Sequence, residues 1–441
     1  MTSTASPRSS TNAHARPSRG ILQPNDSTNL SRPPLEPAAF RAFTVRPRST
    51  WSTSGEPVLG SPSWWAAGRL NYHSGMASIA SLRHDDASLE VTWADGVVSR
   101  YPWLWLRDHA HDDDTMHPVT QQRQLFTARV PAGLQGLSTE IVDGELRVTW
   151  DMLEPPSALP VAFLATYRHP RVARVAVEVP VTLWNAASLI TPTVPYELVM
   201  HTDAGLAQWL TNTLQFGFCL VVGTPATAAA TEALMRRVGY IRETIFGGFW
   251  EFQADMSKAD TAYTTLELRG HTDSTYSNDA PGCQLLHCLE FVGTGGESTM
   301  VDAFAIARRM EAEHADLFEV LSSVTVPGQY IGDGAHLMAA RSVFRHDHTG
   351  RLVQVSFNNY DRAPFLLEEA DMIAFYDAVR VFEELANDPA MQWRHVLQPG
   401  EAMLFDNWRV LHGRAAYTGL RRMCGGYLNR EDLESRLRQL H

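Results

Sequence analysis

Two periods of apolar and polar positions run along this chain, one of two residues and one near 3.6. Strict alternation marks Leu89-Glu-Val-Thr-Trp93, and a second alternating run ends at Val98-Ser-Arg-Tyr101, with Ala94-Asp-Gly96 between them, which predicts a β-hairpin. Val142-Asp-Gly-Glu-Leu-Arg-Val-Thr-Trp150 repeats that pattern. Farther on, Ala204–Leu214 and Ala226–Val238 carry apolar residues at helical spacing, as do longer amphipathic stretches near 302–323 and 366–386. Phe216–Val222, Leu352–Phe357 and Ala402–Val410 read as strands, the last behind a Gln-Pro-Gly-Glu turn. The pattern predicts a mainly β fold with helices. A sandwich or jelly-roll domain over 176–441 follows a small β-rich N-terminal domain over 76–175.

Residues 1–75 show neither period. They hold eight Arg, no Lys and three acidic residues among Ser, Thr, Pro and Gly, which predicts a disordered leader. An Arg- and Ser-rich, acid-poor head has the composition of an organellar transit segment. Met76, however, opens the first well-patterned segment and offers a second start. That start predicts a cytoplasmic protein; a real transit segment predicts the mitochondrial matrix.

Charge and cysteines narrow the class further. The 441 residues are 44% hydrophobic and carry a formal charge of −12, and without the leader the body has 29 basic and 46 acidic residues. Such a balance argues against binding nucleic acid through its phosphates. No run of 18 apolar residues predicts a membrane span. Cys219, Cys283, Cys288 and Cys424 form no C-x-x-C pair, so buried reduced thiols are expected rather than a disulfide framework or thiolate zinc.

Seventeen histidines raise the question of a metal, and spacing sorts them. In extended chain, residues i and i+2 point to one side, so His-x-Asp offers an imidazole and a carboxylate to one ion; a distant second His completes a facial triad with open positions. His201-Thr-Asp203 stands directly before a helix, where Asp203 is better read as its cap. His346-Asp-His348 runs into Thr-Gly, an exposed turn. His271-Thr-Asp273 follows an extended stretch and precedes a polar loop, which suits a ligand pair at a strand's mouth. The distal candidate is His412, at the end of the apolar run in Leu404-Phe-Asp-Asn-Trp-Arg-Val-Leu-His-Gly-Arg414. Arg421, nine residues on, is placed for a returning strand to face the same cavity. A guanidinium there matches the distal carboxylate of a metal-bound 2-oxo acid. Arg422 has the opposite pleat direction and reads as a surface charge.

At these residues the chain resembles the iron(II) and 2-oxoglutarate-dependent oxygenases, in the branch of the trimethyllysine and γ-butyrobetaine dioxygenases. The resemblance rests on Arg242-Glu-Thr-Ile-Phe-Gly, Asp260-Thr-Ala-Tyr-Thr, His271-Thr-Asp273, Gln284-Leu-Leu-His-Cys-Leu, Gly293-Thr-Gly-Gly, Asn358-Asn-Tyr-Asp-Arg, Asp406-Asn-Trp-Arg-Val-Leu-His-Gly-Arg414 and Cys424-Gly-Gly-Tyr-Leu-Asn-Arg430. It covers about 76–441, most strongly from 240 onward. It implies a double-stranded β-helix, iron(II) held by the catalytic residues His271, Asp273 and His412, and 2-oxoglutarate bound by Arg421 with Ser298 as a lesser contact. It also implies ascorbate as reductant and a homodimer.

The resemblance further implies a small-molecule quaternary-ammonium substrate, held by aromatic faces because that cation has no hydrogen to donate. Trp250, Tyr263 and Tyr427 match the branch, and Phe246 stands where a tyrosine is usual. Asp260 falls where the trimethyllysine side of the branch has an acid, suited to an α-ammonium. Asn358 or Asn359 is implied to bind the substrate carboxylate. The expected reaction is C3 hydroxylation of trimethyllysine, the first step of carnitine synthesis. γ-Butyrobetaine or another quaternary amine is the alternative, and a catalytically silent binding module the remote one. In the N-terminal domain the relatives' zinc-binding cysteines are missing, with Ala110 in one such place. His109, His111 and His117 offer no clear fourth ligand, so structural zinc is not expected.

Overall fold

The computed structural model describes residues 78–120, 122–169, 179–253, 264–332 and 334–440. The leader 1–75, Asp260 and Tyr263 therefore lie outside the described residues. The chain divides into two compact units between His169 and Pro170.

The first unit is built twice from one plan. Strands Ile79–His84, Ser88–Trp93 and Val98–Pro102 form an antiparallel sheet followed by helix Trp103–Asp108; Gly136–Val142, Glu145–Trp150 and Ser157–Pro160 form another, followed by helix Val161–Thr166. Each central strand ends in a buried tryptophan whose indole N–H donates to a serine on the third strand, Trp93 to Ser99 at 2.8 Å and Trp150 to Ser157 at 3.0 Å. The second hairpin turns at Asp143-Gly144, both with positive φ, the conformation a two-residue turn between twisted strands requires. His109 stacks on Trp105 at 4.4 Å, His111 packs against Phe163, and His117 accepts backbone hydrogen bonds from Val119 and Thr120.

The second unit is a double-stranded β-helix. Its larger sheet runs, in order, Phe249–Gln253, Tyr417–Leu428, Cys283–Gly295, Glu401–Asp406, Phe218–Val222 and Thr193–Pro195, with Ile241–Arg242 also pairing Tyr417–Leu428. Its smaller sheet runs Leu268–His271, Val410–Arg414, Ser298–Asp302 and Gln392–His395. The period of two assigns the faces. Phe218, Leu220, Met403, Phe405 and Met423 join Met300 of the smaller sheet in an inner core. Their neighbours Cys219, Val221, Ala402 and Leu404 pack outward with residues of helices Asp203–Phe216, Ala228–Val238 and Arg430–Leu440. Helices Ala303–Glu313, Ala315–Ser323 and Glu369–Asn387 contribute to a further core with Val301 and Leu411 of the smaller sheet.

Three local readings of the sequence need correction. The expected helix 302–323 is two helices that break at His314, whose φ of −145° and ψ of 55° are not helical. The helix expected to be capped by Asp203 is capped by Thr202, whose hydroxyl accepts from Gly205 N at 2.9 Å; Asp203 is its first residue. The run 402–410 is two strands in different sheets, because the Asp406 carboxylate accepts from Trp408 N and its carbonyl from Arg409 N, folding the chain into a turn.

That turn delivers Arg409 into the core, where its guanidinium makes a two-pronged pair with Asp302 at 3.0 and 2.8 Å and donates to the carbonyls of Leu214, Gln215 and Thr182. Both partners are essentially without solvent exposure. Removing one side leaves a buried charge unmatched. Arg409→Ala should therefore lower unfolding free energy by about 3–5 kcal/mol in a denaturant titration; a loss under about 1 kcal/mol would show that the pair is not a structural anchor.

Candidate active site

Backbone pairing assembles the centre. Strand Leu268–His271 pairs antiparallel with Val410–Arg414 in a register that sets His271 directly opposite His412. Their rings lie 4.2 Å apart, and Phe405 backs His412 at 4.7 Å. These two strands run close: a Cβ on Gly413 would come within 2.6 Å of the Leu268 carbonyl oxygen, so only glycine fits after the histidine.

Asp273 reaches the same point from just beyond the strand end. Thr272 points the other way and locks the segment, its N–H donating to the Phe357 carbonyl at 2.7 Å and its hydroxyl accepting from Phe357 N at 2.9 Å. The buried Asn407 side chain clamps Asp273 by its backbone, accepting from Asp273 N at 2.8 Å and donating to the Asp273 carbonyl at 3.1 Å. The next residue, Ser274, takes a φ of +59°, a left-handed conformation that costs free energy and needs such support.

Three donor atoms, one each from His271, Asp273 and His412, lie within 4.8 Å of one another, and among the described residues no other such group occurs. Asp273 Oδ1 is 3.3 Å from His271 Nε2 and 3.6 Å from His412 Nε2. His271 Nδ1 is 2.8 Å from the Arg269 carbonyl; donating there fixes the ring's orientation and aims Nε2 at Asp273. Burial works against ionising Asp273, yet His412 and His271 hold its carboxyl well below the usual range. Burial and the neighbouring His271 push His412 down to about 3, so its imidazole is neutral, the form that binds metal. The residues fit a divalent iron: two imidazoles and a carboxylate, with His271 held by the Arg269 carbonyl, Asp273 by Asn407 and Tyr427, and His412 by its strand pairing and the Phe405 ring, its Nδ1 buried without a hydrogen-bond partner.

The triad faces a cavity of about 390 Å³. Arg421, Ser298, Phe246, Trp250, Asn358 and Tyr427 also line it. Asn359 does not; it lines a separate cavity of about 20 Å³. Trp250 meets Tyr427 edge-on at 6.0 Å. Alternation along Tyr417–Leu428 turns Arg421 and Tyr427 inward, whereas Arg422 pairs outside with Glu251 at 3.3 Å. Tyr427 also donates its hydroxyl to Asp273 Oδ2 at 2.8 Å, a contact that the reading as an aromatic wall did not foresee.

Sequence reasoning missed several lining residues. Arg414 is buried beside Ser298, its cross-strand partner, and donates to the Thr264 and Leu266 carbonyls at 2.7 Å. It lies two residues after His412 on a strand, so the rule used for His-x-Asp would have found it. Burial and the charge of Arg414 push Arg421 down to about 10, and the Tyr417 ring lies 4.9 Å from one guanidinium and 5.8 Å from the other. Tyr330, Tyr276, Tyr360 and Asp361 come from loops and a hairpin, where no periodicity pointed to them.

Two imidazoles and one carboxylate at the mouth of a double-stranded β-helix, with open directions into a cavity holding two guanidinia, define a non-haem iron oxygenase. The chain belongs to the taurine catabolism dioxygenase TauD, TfdA family, whose model matches residues 180–427. The model of the N-terminal domain of γ-butyrobetaine hydroxylase-like proteins matches residues 80–153. Trimethyllysine dioxygenase of Meyerozyma guilliermondii is 32% identical, covering 82% of this chain and 96% of its own. The mitochondrial trimethyllysine dioxygenase of Gallus gallus is 34% identical over 87% of this chain and 94% of its own. γ-Butyrobetaine dioxygenase of a Pseudomonas species is 32% identical over 82% of this chain and 96% of its own. No described helix is long and apolar enough to cross a membrane.

If the triad holds iron, His271→Ala should abolish ferrous-dependent succinate formation. Asn407→Ala should weaken ferrous binding about 10- to 100-fold while leaving the ligands in place. Unchanged metal affinity in a competition titration would remove the positioning role of Asn407.

Proposed function

We propose that this dioxygenase hydroxylates N6,N6,N6-trimethyllysine at C3, the first step of carnitine biosynthesis. The observation that carries the reading is that one cavity at the triad is lined both by two guanidinia and by several aromatic faces. Two buried guanidinia, Arg414 and Arg421, concentrate positive charge on one part of the wall, which suits a dianion such as 2-oxoglutarate. Aromatic faces at Phe246, Trp250 and Tyr427 suit a quaternary ammonium, whose charge no hydrogen bond can satisfy. By sequence match Tyr263 is the fourth wall and Asp260 a candidate partner for the α-ammonium, to be weighed against other carboxylates of the site; Asn358 is a donor for the substrate carboxylate.

In this reading His271, Asp273 and His412 hold iron(II), which with dioxygen and 2-oxoglutarate supplies the oxidising power to place a hydroxyl on an unactivated carbon, leaving succinate and carbon dioxide. The chain's own work is placement. Arg421 and Ser298 orient the 2-oxo acid, the aromatic walls fix one end of the substrate, and the polar groups fix the other, so that distance along the carbon chain selects C3. Ascorbate is the reductant that keeps iron ferrous. Four buried, unpaired cysteines support a reducing compartment, for which we take the cytoplasm, with the mitochondrial matrix as the alternative. A homodimer completes the reading.

γ-Butyrobetaine is the second substrate to test, given the Pseudomonas relative. The full chain, loaded anaerobically with Fe(II) and 2-oxoglutarate and started with dioxygen, should form succinate and a product 16 mass units heavier from trimethyllysine in preference to γ-butyrobetaine. The reverse preference would overturn the substrate, and succinate from neither would return the chain to a binding role.

A further inference from the structure

Trimethyllysine carries two cations that a site must tell apart. Counting along its chain, the quaternary nitrogen is four bonds from C3 and the α-nitrogen only two. With C3 at the triad, the α-ammonium therefore sits close to the metal ligands. A carboxylate that receives it must lie beside the triad without belonging to it.

Among the described residues lining the cavity, the only carboxylates are Asp273 and Asp361. Asp361 belongs to Asn358-Asn359-Tyr360-Asp361, a loop docked onto the first metal ligand. The Tyr360 ring meets the His271 ring edge-on at 5.9 Å, and its hydroxyl accepts from Arg269 N at 3.0 Å. The loop is also held from the other side, with Gln329 N donating to the Asp361 carbonyl at 2.8 Å and Ala363 N to the Pro327 carbonyl at 2.9 Å. Asp361 Oδ2 accepts from Asn358 Nδ2 at 2.8 Å and from Thr275 Oγ1 at 3.4 Å, which sets the direction of the carboxylate.

Asn358 thus stands next to Asp361, one side chain with a carbonyl and an amide, the other with a charge. An amino acid head presents an ammonium and a carboxylate on one carbon, so adjacent acidic and amide groups form its natural complement.

We infer that Asp361 is the specificity-determining carboxylate that receives the α-ammonium of the substrate, with Asn358 holding its direction. The inference rests on the trimethyllysine reading above. It makes Asp361, rather than the aromatic walls, the residue that separates trimethyllysine from quaternary amines without an α-amino group.

The test pairs trimethyllysine with 6-(trimethylammonio)hexanoate, the same molecule without its amino group. KM and kcat are measured for both with wild type, Asp361→Asn and Asp260→Asn, together with calorimetric binding of each compound. Asp361→Asn should raise KM and Kd for trimethyllysine about tenfold or more and change those of the analogue less than about threefold. A damaged loop would weaken both compounds alike, and that result overturns the inference, as does no change in either or a selective loss in Asp260→Asn alone. Wild type that neither binds nor turns over trimethyllysine would instead sink the substrate reading itself, and this inference with it.

Discussion

Everything in the site depends on one stretch of backbone ladder, the pairing of Leu268–His271 with Val410–Arg414. A slip of one residue would flip every side chain to the other face. His412 and Arg414 would then leave the cavity together, and His271 would lose its partner. The motif Asp406-Asn-Trp-Arg-Val-Leu-His-Gly-Arg secures that register residue by residue. Asp406 makes the turn and pairs with Arg430, Asn407 clamps Asp273, and Trp408 donates to the Ala280 carbonyl at 3.1 Å. Arg409 is sunk into the core with Asp302, and Gly413 admits the neighbouring strand. Few of these residues touch a ligand, and all fix where the ligands stand.

Electrostatics then decides what the cavity accepts. Charges interact more strongly where water is scarce, so the buried guanidinia of Arg414 and Arg421 favour anions at their end. Aromatic faces and Asp361 favour cations elsewhere in the same cavity. Asp273 belongs to neither function, because its two histidine neighbours and the Tyr427 hydroxyl already claim its charge. The same Tyr427 ring that walls the cavity therefore also orients a metal ligand, tying substrate packing to the geometry of the centre.

How much of this was legible follows from the kind of signal each part leaves. Alternation located the hairpins of the first unit, apolar runs located some strands of the second, and the i, i+2 rule together with the flanking sequence singled out His271 and Asp273 from the other histidines. The turn at Asn407 escaped because Leu404-Phe-Asp-Asn-Trp-Arg-Val is apolar enough to read as one strand; only the Asp406 side chain's hydrogen bonds reveal the break. Thr202 and Asp203 are both good capping residues, and which one caps is settled by backbone conformation rather than residue type. Tyr330 lies in a hairpin that carries no pattern, and Asp361 lies in a motif of which only the asparagines were assigned a role; the tertiary fold brings both to the cavity. The substitution of Phe246 for tyrosine was visible in the sequence; that Tyr330 meets it edge-on at 5.6 Å was not.

The central claim is that one register-fixed triad divides a cavity between an anionic co-substrate and a cationic substrate. An anaerobic crystal structure with Fe(II), 2-oxoglutarate and trimethyllysine tests it most directly. The account predicts metal density bonded to His271, Asp273 and His412, the co-substrate's distal carboxylate on Arg421, the trimethylammonium against Trp250 and Tyr427, and C3 as the substrate carbon nearest the metal. Metal bound elsewhere, or a substrate lying with its quaternary nitrogen against the arginines, would contradict it.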